Sequence, residues 1–435
     1  MALTGTESTW LSETFSGGGA TLDAAEVATV AAGASMPSTG GALATDGVCL
    51  EAGTGGTAAQ PSRHREEPHS RPDFIGTREL SSEWGKLLRA EPERTRRAGF
   101  SSPNERASTA AMSKVLVTGA GGFIGSHLCE QLLARGHEVR ALVRYNGRGS
   151  QGWLDTSAAR DRLEIVAGDI RDFDSVSRAV AGCAEVFHLA ALIGIPYSYE
   201  SPLAYVRTNV EGTYNVLEAA RRSDVRRVLI TSTSEVYGTA IYTPIDEAHP
   251  LQPQSPYSAS KIGADQLALS YQMSFGLPVV VARPFNTYGP RQSARAIIPS
   301  LATQLLSRRP RIDVGSLDPV RDLTFVEDTA SAMITIAATD AFLGRAVNVG
   351  TGEAISIREI YERLVAITGH QAELHQDPAR IRPQSSEVMR LISNNGVLRN
   401  TTSWTSSVNI DAGLVRTVDW LRDNLDRYRP ERYTV

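Results

Sequence analysis

A tyrosine and a lysine stand one helical turn apart in Tyr257-Ser-Ala-Ser-Lys261, downstream of the polar run Thr231-Ser-Thr-Ser-Glu-Val-Tyr-Gly238. A phenol holds its proton to about pH 10, so a tyrosine acts as a base at neutral pH only where something stabilises the phenolate. On a helix, Lys261 projects from the same face as Tyr257 and supplies a positive charge there. Such a pair can take a proton from a hydroxyl while hydride leaves the carbon that bears it. The hydride needs an acceptor. Gly119-x-x-Gly122-x-x-Gly125 follows the apolar run Val115-Leu-Val-Thr118 and opens a helical stretch. Alone, the spacing could be an ordinary tight turn. Between a strand and a helix it lets the backbone approach a pyrophosphate, and the helix N-terminus offers it unpaired N–H groups. Gly119, Gly122, Phe123, Ile124 and Gly125 are therefore candidates to hold a nicotinamide dinucleotide, NAD(P).

These residues need a scaffold that brings distant turns together. Short apolar runs at 115–118, 139–143, 163–167, 186–189, 228–230 and 279–282 read as strands. A helix follows the glycines over 123–135, with Ile124, Leu128, Leu132 and Leu133 inward, and further helices are expected at 202–222 and 255–275. Strands alternating with helices, without hairpin signals, imply an α/β fold with a doubly wound parallel sheet of Rossmann type. Ligands of such sheets bind beyond the carboxyl ends of the strands, where the motifs fall. Gly168-Asp169-Ile170 ends the third strand, where Asp169 and Ile170 suit an adenine ring; Asp169 could equally cap a helix before Phe173. Many NAD-selective sheets carry an acid at the end of the second strand. Here Val143 and Arg144 stand there, and a guanidinium favours a 2′-phosphate, hence NADP over NAD. Arg144 pointing to solvent or stacking on adenine would leave NAD open.

A length of 435 residues suggests one or two domains plus extra segments. The net charge of −4 gives no electrostatic reason to expect nucleic acid or an anionic membrane. Cys49, Cys129 and Cys183 are far apart and lack metal or redox spacing, so no metal is expected and the thiols suit a reducing cytosol. No apolar run approaches the roughly 20 residues that span a bilayer, and the expected location is cytoplasmic. Residues 1–60 are rich in Gly, Ala, Ser and Thr, and residues 61–111 mix Arg, Glu, Pro and Ser without sustained apolar periodicity. Such sequence buries too little apolar surface to offset the entropy of ordering it. The extension reads as a disordered tail, a partner-binding arm, or translation assigned upstream of Met112.

The set Gly119/Gly122/Gly125, His188-Leu-Ala-Ala191, Asn209-x-x-Gly212, Tyr257-x-x-x-Lys261 and Arg283-Pro-Phe-Asn286 resembles the extended short-chain dehydrogenase/reductases, in their sugar-nucleotide epimerase and dehydratase branch. The resemblance runs from about Met112 to the C-terminus. It implies a nucleotide-binding domain at 112–283 and a smaller region at 284–435 that holds a nucleoside diphosphate sugar. It implies a homodimer formed through the helices before Arg222 and around Tyr257. Leu189, Ala190, Ala191, Asn209 and Pro284 join the cofactor set, with Tyr257 and Lys261. Asn286, Arg291, Arg321 and Arg382 match positions that grip the substrate, since arginine forks suit phosphate. Arg321 opens a run to Asp328 that reads as a helix start, and pairing with Asp322 or Asp328 alone is its structural alternative. His188 reads as packed and hydrogen-bonded.

Within that branch the chemistry turns on Thr233-Ser234-Glu235. Simple 4-epimerases usually lack a carboxylate at the position of Glu235. Oxidation at C4 of a sugar acidifies the C5 proton, which a carboxylate can remove. Loss of the C6 hydroxyl as water and hydride return to C6 would give a 4-keto-6-deoxy sugar nucleotide. The resemblance assigns Tyr257 as base at the 4-hydroxyl, Lys261 as the group that lowers its pKa and binds the nicotinamide ribose, Thr233 as holder of the 4-oxygen, and Glu235 as the C5 base. Ser234 departs from the aspartic acid of dTDP-glucose 4,6-dehydratases. Thr-Ser-Glu and its surroundings look closest to UDP- or GDP-N-acetylglucosamine 4,6-dehydratases. UDP-glucuronate decarboxylases share the triplet; a decarboxylase, a 4-epimerase and a non-catalytic NAD(P)-binding regulator are the other readings. Thr233 and Ser234 capping a strand end, with Glu235 solvated, is the bland alternative.

Overall fold

In the computed structural model, which describes residues 113–380 and 388–430, β-branched and leucine-rich runs form seven strands of one parallel sheet. They are β1 (Lys114–Thr118), β2 (Glu138–Arg144), β3 (Glu164–Gly168), β4 (Glu185–His188), β5 (Arg227–Thr231), β6 (Val279–Pro284) and a late strand, Ala346–Val349. The spatial order is β3-β2-β1-β4-β5-β6 and then the late strand. The expectations for residues 1–111 and for Arg382 lie outside the described residues.

Successive side chains enter opposite cores, as a doubly wound sheet requires. Val115 and Val117 pack with Leu128, Leu132 and Met333, whereas Leu116 packs with Val176, Val216 and Ala268 on the other face. The first face is covered by α1 (Phe123–Ala134), the second by α2 (Phe173–Val180) and by the helices that follow β4 and precede β6. After β4 come α3 (Ile195–Glu200), α4 (Pro202–Tyr205) and α5 (Gly212–Arg222). The single helix expected over 202–222 is interrupted, because Val206–Glu211 winds as a π-helix between α4 and α5. Such widened turns expel a residue from the regular ladder, and Asn209 lies inside this one. The helix α6 (Pro256–Phe275) is as expected: Ser255 caps it in a reciprocal capping box with Ser258, and Pro256 occupies the first turn. Gly276, at φ 67, ends it.

The remaining elements are β7 (Asn286–Tyr288), α7 (Ile297–Leu306), β8 (Arg311–Val314), β9 (Val320–Arg321), β10 (Leu323–Phe325), α8 (Val326–Ala338), β11 (Ala346–Val349, the late strand), β12 (Ile355–Ser356), α9 (Ile357–Thr368), β13 (Glu373–Gln376), β14 (Arg390–Leu391), α10 (Gly396–Thr402) and α11 (Ile410–Asp423). They form small sheets, β7 with β10, β8 with β13, and β9 with β12 and β14. A third core of Ile298, Leu301, Phe325, Ile360 and Leu414 binds α7, α9 and α11 to them. Two of these later elements return to the main sheet: β11 pairs with β6, and α8 packs on α1. Arg321 is a strand residue, and the helix expected at that point starts only at Val326.

Candidate active site

Every strand-to-helix turn named above empties into one cleft of about 1160 Å³ along the carboxyl ends of the parallel strands. The glycine turn forms one end. Gly119 has φ +70, and a Cβ on it would stand 2.8 Å from Ala190 N; a Cβ on Gly125 would stand 2.3 Å from Gly119 O. Only glycine gives this close stacking of turn, helix and neighbouring strand end. Gly122 N–H donates to Gly119 O at 3.0 Å, closing the turn. Gly119, Gly122, Phe123, Ile124 and Gly125 all line the cleft, as do Arg144, Asp169, Ile170, Leu189, Ala190, Ala191 and Pro284. A space that backbone leaves because side chains are absent, at a helix N-terminus, fits a pyrophosphate.

Asp169 is not a helix cap: Asp172 performs that role at α2. Asp169 is held by Arg171 at 2.6 Å, and that hydrogen bond draws its carboxyl below the ordinary range. Beyond β4 the wall is fixed from behind. Thr118 Oγ1 accepts Leu189 N–H and Ala190 N–H, both at 3.1 Å, so its own proton goes to His188 Nδ1 at 2.8 Å. His188 Nε2–H then donates to Thr213 Oγ1 at 3.2 Å, and Thr213 donates to Asn209 O. His188 is therefore a buried neutral brace, as expected. Asn209 is also a brace rather than a cleft residue: its amide meets Leu192 N–H at 2.8 Å, Leu192 O at 3.0 Å and Ser260 Oγ at 2.9 Å.

Thr233, Glu235 and Tyr257 converge on the cleft. Thr233 caps the short 3-10 turn Ser234–Tyr237 by accepting Glu235 N–H at 3.2 Å. That cap turns Ser234 inward, where it is buried and absent from the cleft lining, so the position expected to serve beside Glu235 does not reach the site. Tyr257, in the first turn of α6, is buried with its ring edge-on to Tyr205. Burial pushes its phenol above the ordinary value; a hydrogen bond from Thr233 opposes this and the Glu235 charge adds to it. Lys261 lies one turn on, also buried, with Nζ donating to Thr231 O at 2.6 Å. Burial lowers its pKa to about 8, against the pull of Asp265. The ammonium thus bonds the strand end from which Thr233 hangs.

On the other wall, Asn286 and Arg321 line the cleft, and Asn286 Oδ1 is buried with no protein partner. Arg321 donates to Val320 O at 3.1 Å. Its alternative partners are engaged elsewhere: Asp322 accepts Thr351 and Gly352 N–H, and Asp328 accepts Ser407 and Val408 N–H. Arg291 does not join this wall. It pairs with Glu130 of α1 at 2.9 Å and is absent from the lining. Arg295 and Arg380, which sequence reasoning missed, do line it; they sit in irregular segments whose only signal was the charge itself.

The GDP-mannose 4,6 dehydratase family model matches residues 116–417. A UDP-glucose 4-epimerase of Mycolicibacterium smegmatis is 33% identical over 71% of this chain and 99% of its own. A dTDP-glucose 4,6-dehydratase of the same organism is 32% identical over 74% of this chain and 97% of its own. The dTDP-glucose 4,6-dehydratase DesIV of Streptomyces venezuelae, solved with NAD bound, superposes with a TM-score of 0.68 at 31% identity, covering 73% of this chain and all of that one (100%). With the glycine cradle, the Tyr257/Lys261 helix and the seven-stranded sheet in place, the chain belongs to the GDP-mannose 4,6 dehydratase family, among the short-chain dehydrogenase/reductase epimerases and dehydratases.

Proposed function

We propose that this protein is an NAD(P)-dependent sugar-nucleotide 4,6-dehydratase acting on UDP- or GDP-N-acetylglucosamine, and that it works as a homodimer. The observation that carries the reading is Glu235, a carboxylate on the cleft wall beside Tyr257 and Thr233. An epimerase needs only one proton acceptor at the 4-hydroxyl; a second base beside it suits elimination. The other carboxylate toward the glycine end, Asp169, is committed to Arg171.

Bound nicotinamide supplies the acceptor for hydride from C4 and later the donor of hydride to C6. Thr233 holds the 4-oxygen and Tyr257 takes the proton of the 4-hydroxyl as the carbonyl forms. Glu235 removes the C5 proton, now acidic, and passes it to the C6 hydroxyl, which departs as water; as hydride reaches C6, C5 takes up a proton from solvent, equivalent to the one Tyr257 took from the 4-hydroxyl. Buried Ser234 has no part in that transfer, so one carboxylate serves both ends of the elimination. Lys261 fixes the strand end and supplies the positive charge behind Tyr257. Asn286, Arg321 and Arg295 stand on the wall that takes the diphosphate and nucleoside, and Arg380 on the same wall is bonded to Asp377 and Ser300. Arg144, exposed at the end of β2, suits a 2′-phosphate and favours NADP.

The dimer is supported by apolar residues left uncovered on the helices that flank the site. Leu203 is 58% exposed, Val206 50%, and Met273 85%. No described helix is long and apolar enough to cross a membrane.

The test incubates the full chain with UDP-N-acetylglucosamine, GDP-N-acetylglucosamine or UDP-glucuronate and reads product mass. Loss of one water from an N-acetylhexosamine nucleotide is the expected result and names the base. Loss of carbon dioxide from the glucuronate would replace the reading with decarboxylation.

A further inference from the structure

The mechanism above leaves one buried ion pair unused. Asp265 lies on α6 one turn beyond Lys261 and is fully buried; Arg283, on β6, is 3% exposed. Asp265 Oδ2 accepts Ser232 Oγ–H at 2.8 Å and Arg283 Nε–H at 3.1 Å. Arg283 in turn donates to the Tyr237 hydroxyl at 3.1 Å, which donates to Asn348 Oδ1 at 2.7 Å. Asp265 Oδ1 is buried without a hydrogen-bond partner.

Two features set this carboxylate apart from a plain structural pair. Ser232 stands between Thr231, whose carbonyl receives Lys261, and Thr233, which bonds Tyr257. The Asp265–Ser232 bond therefore clamps the three-residue strand end on which both groups depend. Asp265 also follows Lys261 by one turn on the same buried face of α6, where the charged neighbours of Lys261 are few. On its own helix there are Tyr257 and Asp265; from β4 comes His188, neutral in its hydrogen-bond network; from the turn after β5, Glu235, which acts on Tyr257; from β6, Arg283. Asp265 is the neighbour that favours the ammonium. Since burial works against that charge, an opposite charge close by decides whether Lys261 is protonated at working pH.

We infer that Asp265 is a positioning residue for the Tyr257/Lys261 pair, placing a carboxylate one helical turn behind Lys261 and fixing Thr231–Thr233 through Ser232. The inference rests on the proposed catalytic role of that pair.

The test compares Asp265→Asn, which leaves Arg283 without its partner, with the double variant Asp265→Asn/Arg283→Met, which removes both charges. The 13Cε chemical shift of Lys261 in the full chain carrying labelled lysine, followed across pH by NMR, reads its protonation in place without substrate or cofactor. In the unaltered protein the midpoint falls near 8. Both variants are expected to lower it by about one unit or more, and the alkaline limb of kcat/KM should move with it. A structural pair alone would predict a wild-type midpoint and a wild-type alkaline limb in the double variant, and that result would overturn the inference. So would failure of both variants to fold, which would mark Asp265 as an anchor of the core. If the unaltered protein turned over no sugar nucleotide, the proposed function would fall while the titration of Lys261 stood on its own.

Discussion

Acidification should unlatch the wall beyond β4, and His188 sets the pH at which it does so. Burial, with the Lys261 charge a lesser cause, lowers the pKa of His188 to about 3 from its ordinary 6.5. The network explains the direction: Nδ1 accepts the Thr118 hydroxyl and cannot take a proton without losing it. Because the native value lies below the unfolded one, the unfolded chain binds a proton first. Stability is then constant above about pH 6.5 and falls as the pH drops from there toward 3. At pH 5 the deficit from this one group is about 2 kcal/mol, taking 1.36 kcal/mol per unit. Urea unfolding of the full chain between pH 5 and 7.5 measures it, with His188→Asn as the control. An asparagine amide oxygen can stand near the place of Nδ1 and does not titrate. The variant is expected to be less stable at neutral pH, through loss of the Thr213 contact. Its stability should nevertheless fall less with acid, by up to one proton of slope. Equal slopes in the two proteins would refute the reasoning, since the neutral brace would then not be the source of the acid sensitivity.

Other perturbations separate the parts of the site. Tyr257→Phe should abolish transfer of hydride from substrate, whereas Glu235→Gln should still reduce the nicotinamide, seen by absorbance, and release no dehydrated product; normal product from Glu235→Gln would remove it as the C5 base. Gly125→Ala places a methyl 2.3 Å from Gly119 O, a backbone atom with nowhere to move. An overpacking cost of about 1–3 kcal/mol is expected, read as a lower thermal midpoint together with at least about tenfold weaker dinucleotide binding by calorimetry. Arg144→Ala should weaken NADP by about tenfold, the worth of one charge-assisted contact of about 1.4 kcal/mol, and leave NAD nearly unchanged; an equal loss for both would place the guanidinium on the adenine.

The parts of this protein legible in its sequence are those encoded by neighbours in the chain. β1, the glycine turn and α1 follow from an apolar run, three spaced glycines and a 3.6-residue period, and α6 announces itself through Ser255, Pro256 and Ser258. Tyr257 and Lys261 were readable because one helical turn fixes their relation. The features that local sequence leaves open share the opposite property. Nothing near Ala346–Val349 says that it closes the main sheet beside β6, because strand partners are chosen by space left open after the earlier strands have paired. Ser234 sits in a catalytic-looking triplet, yet it is the first residue of the 3-10 turn that Thr233 caps and is buried there, while Thr233 and Glu235 line the cleft. Arg291 looked like a phosphate ligand because local sequence could not show Glu130, which lies 161 residues away and claims the guanidinium. Asn209 suits a cofactor contact by type, and within the π-helical stretch its amide bonds Leu192 and Ser260. For Arg291 and Asn209 the residue type suits the chemistry and the decisive fact is a competing partner. A buried amide or guanidinium goes to the groups that satisfy it most fully, and those groups are set by the tertiary fold.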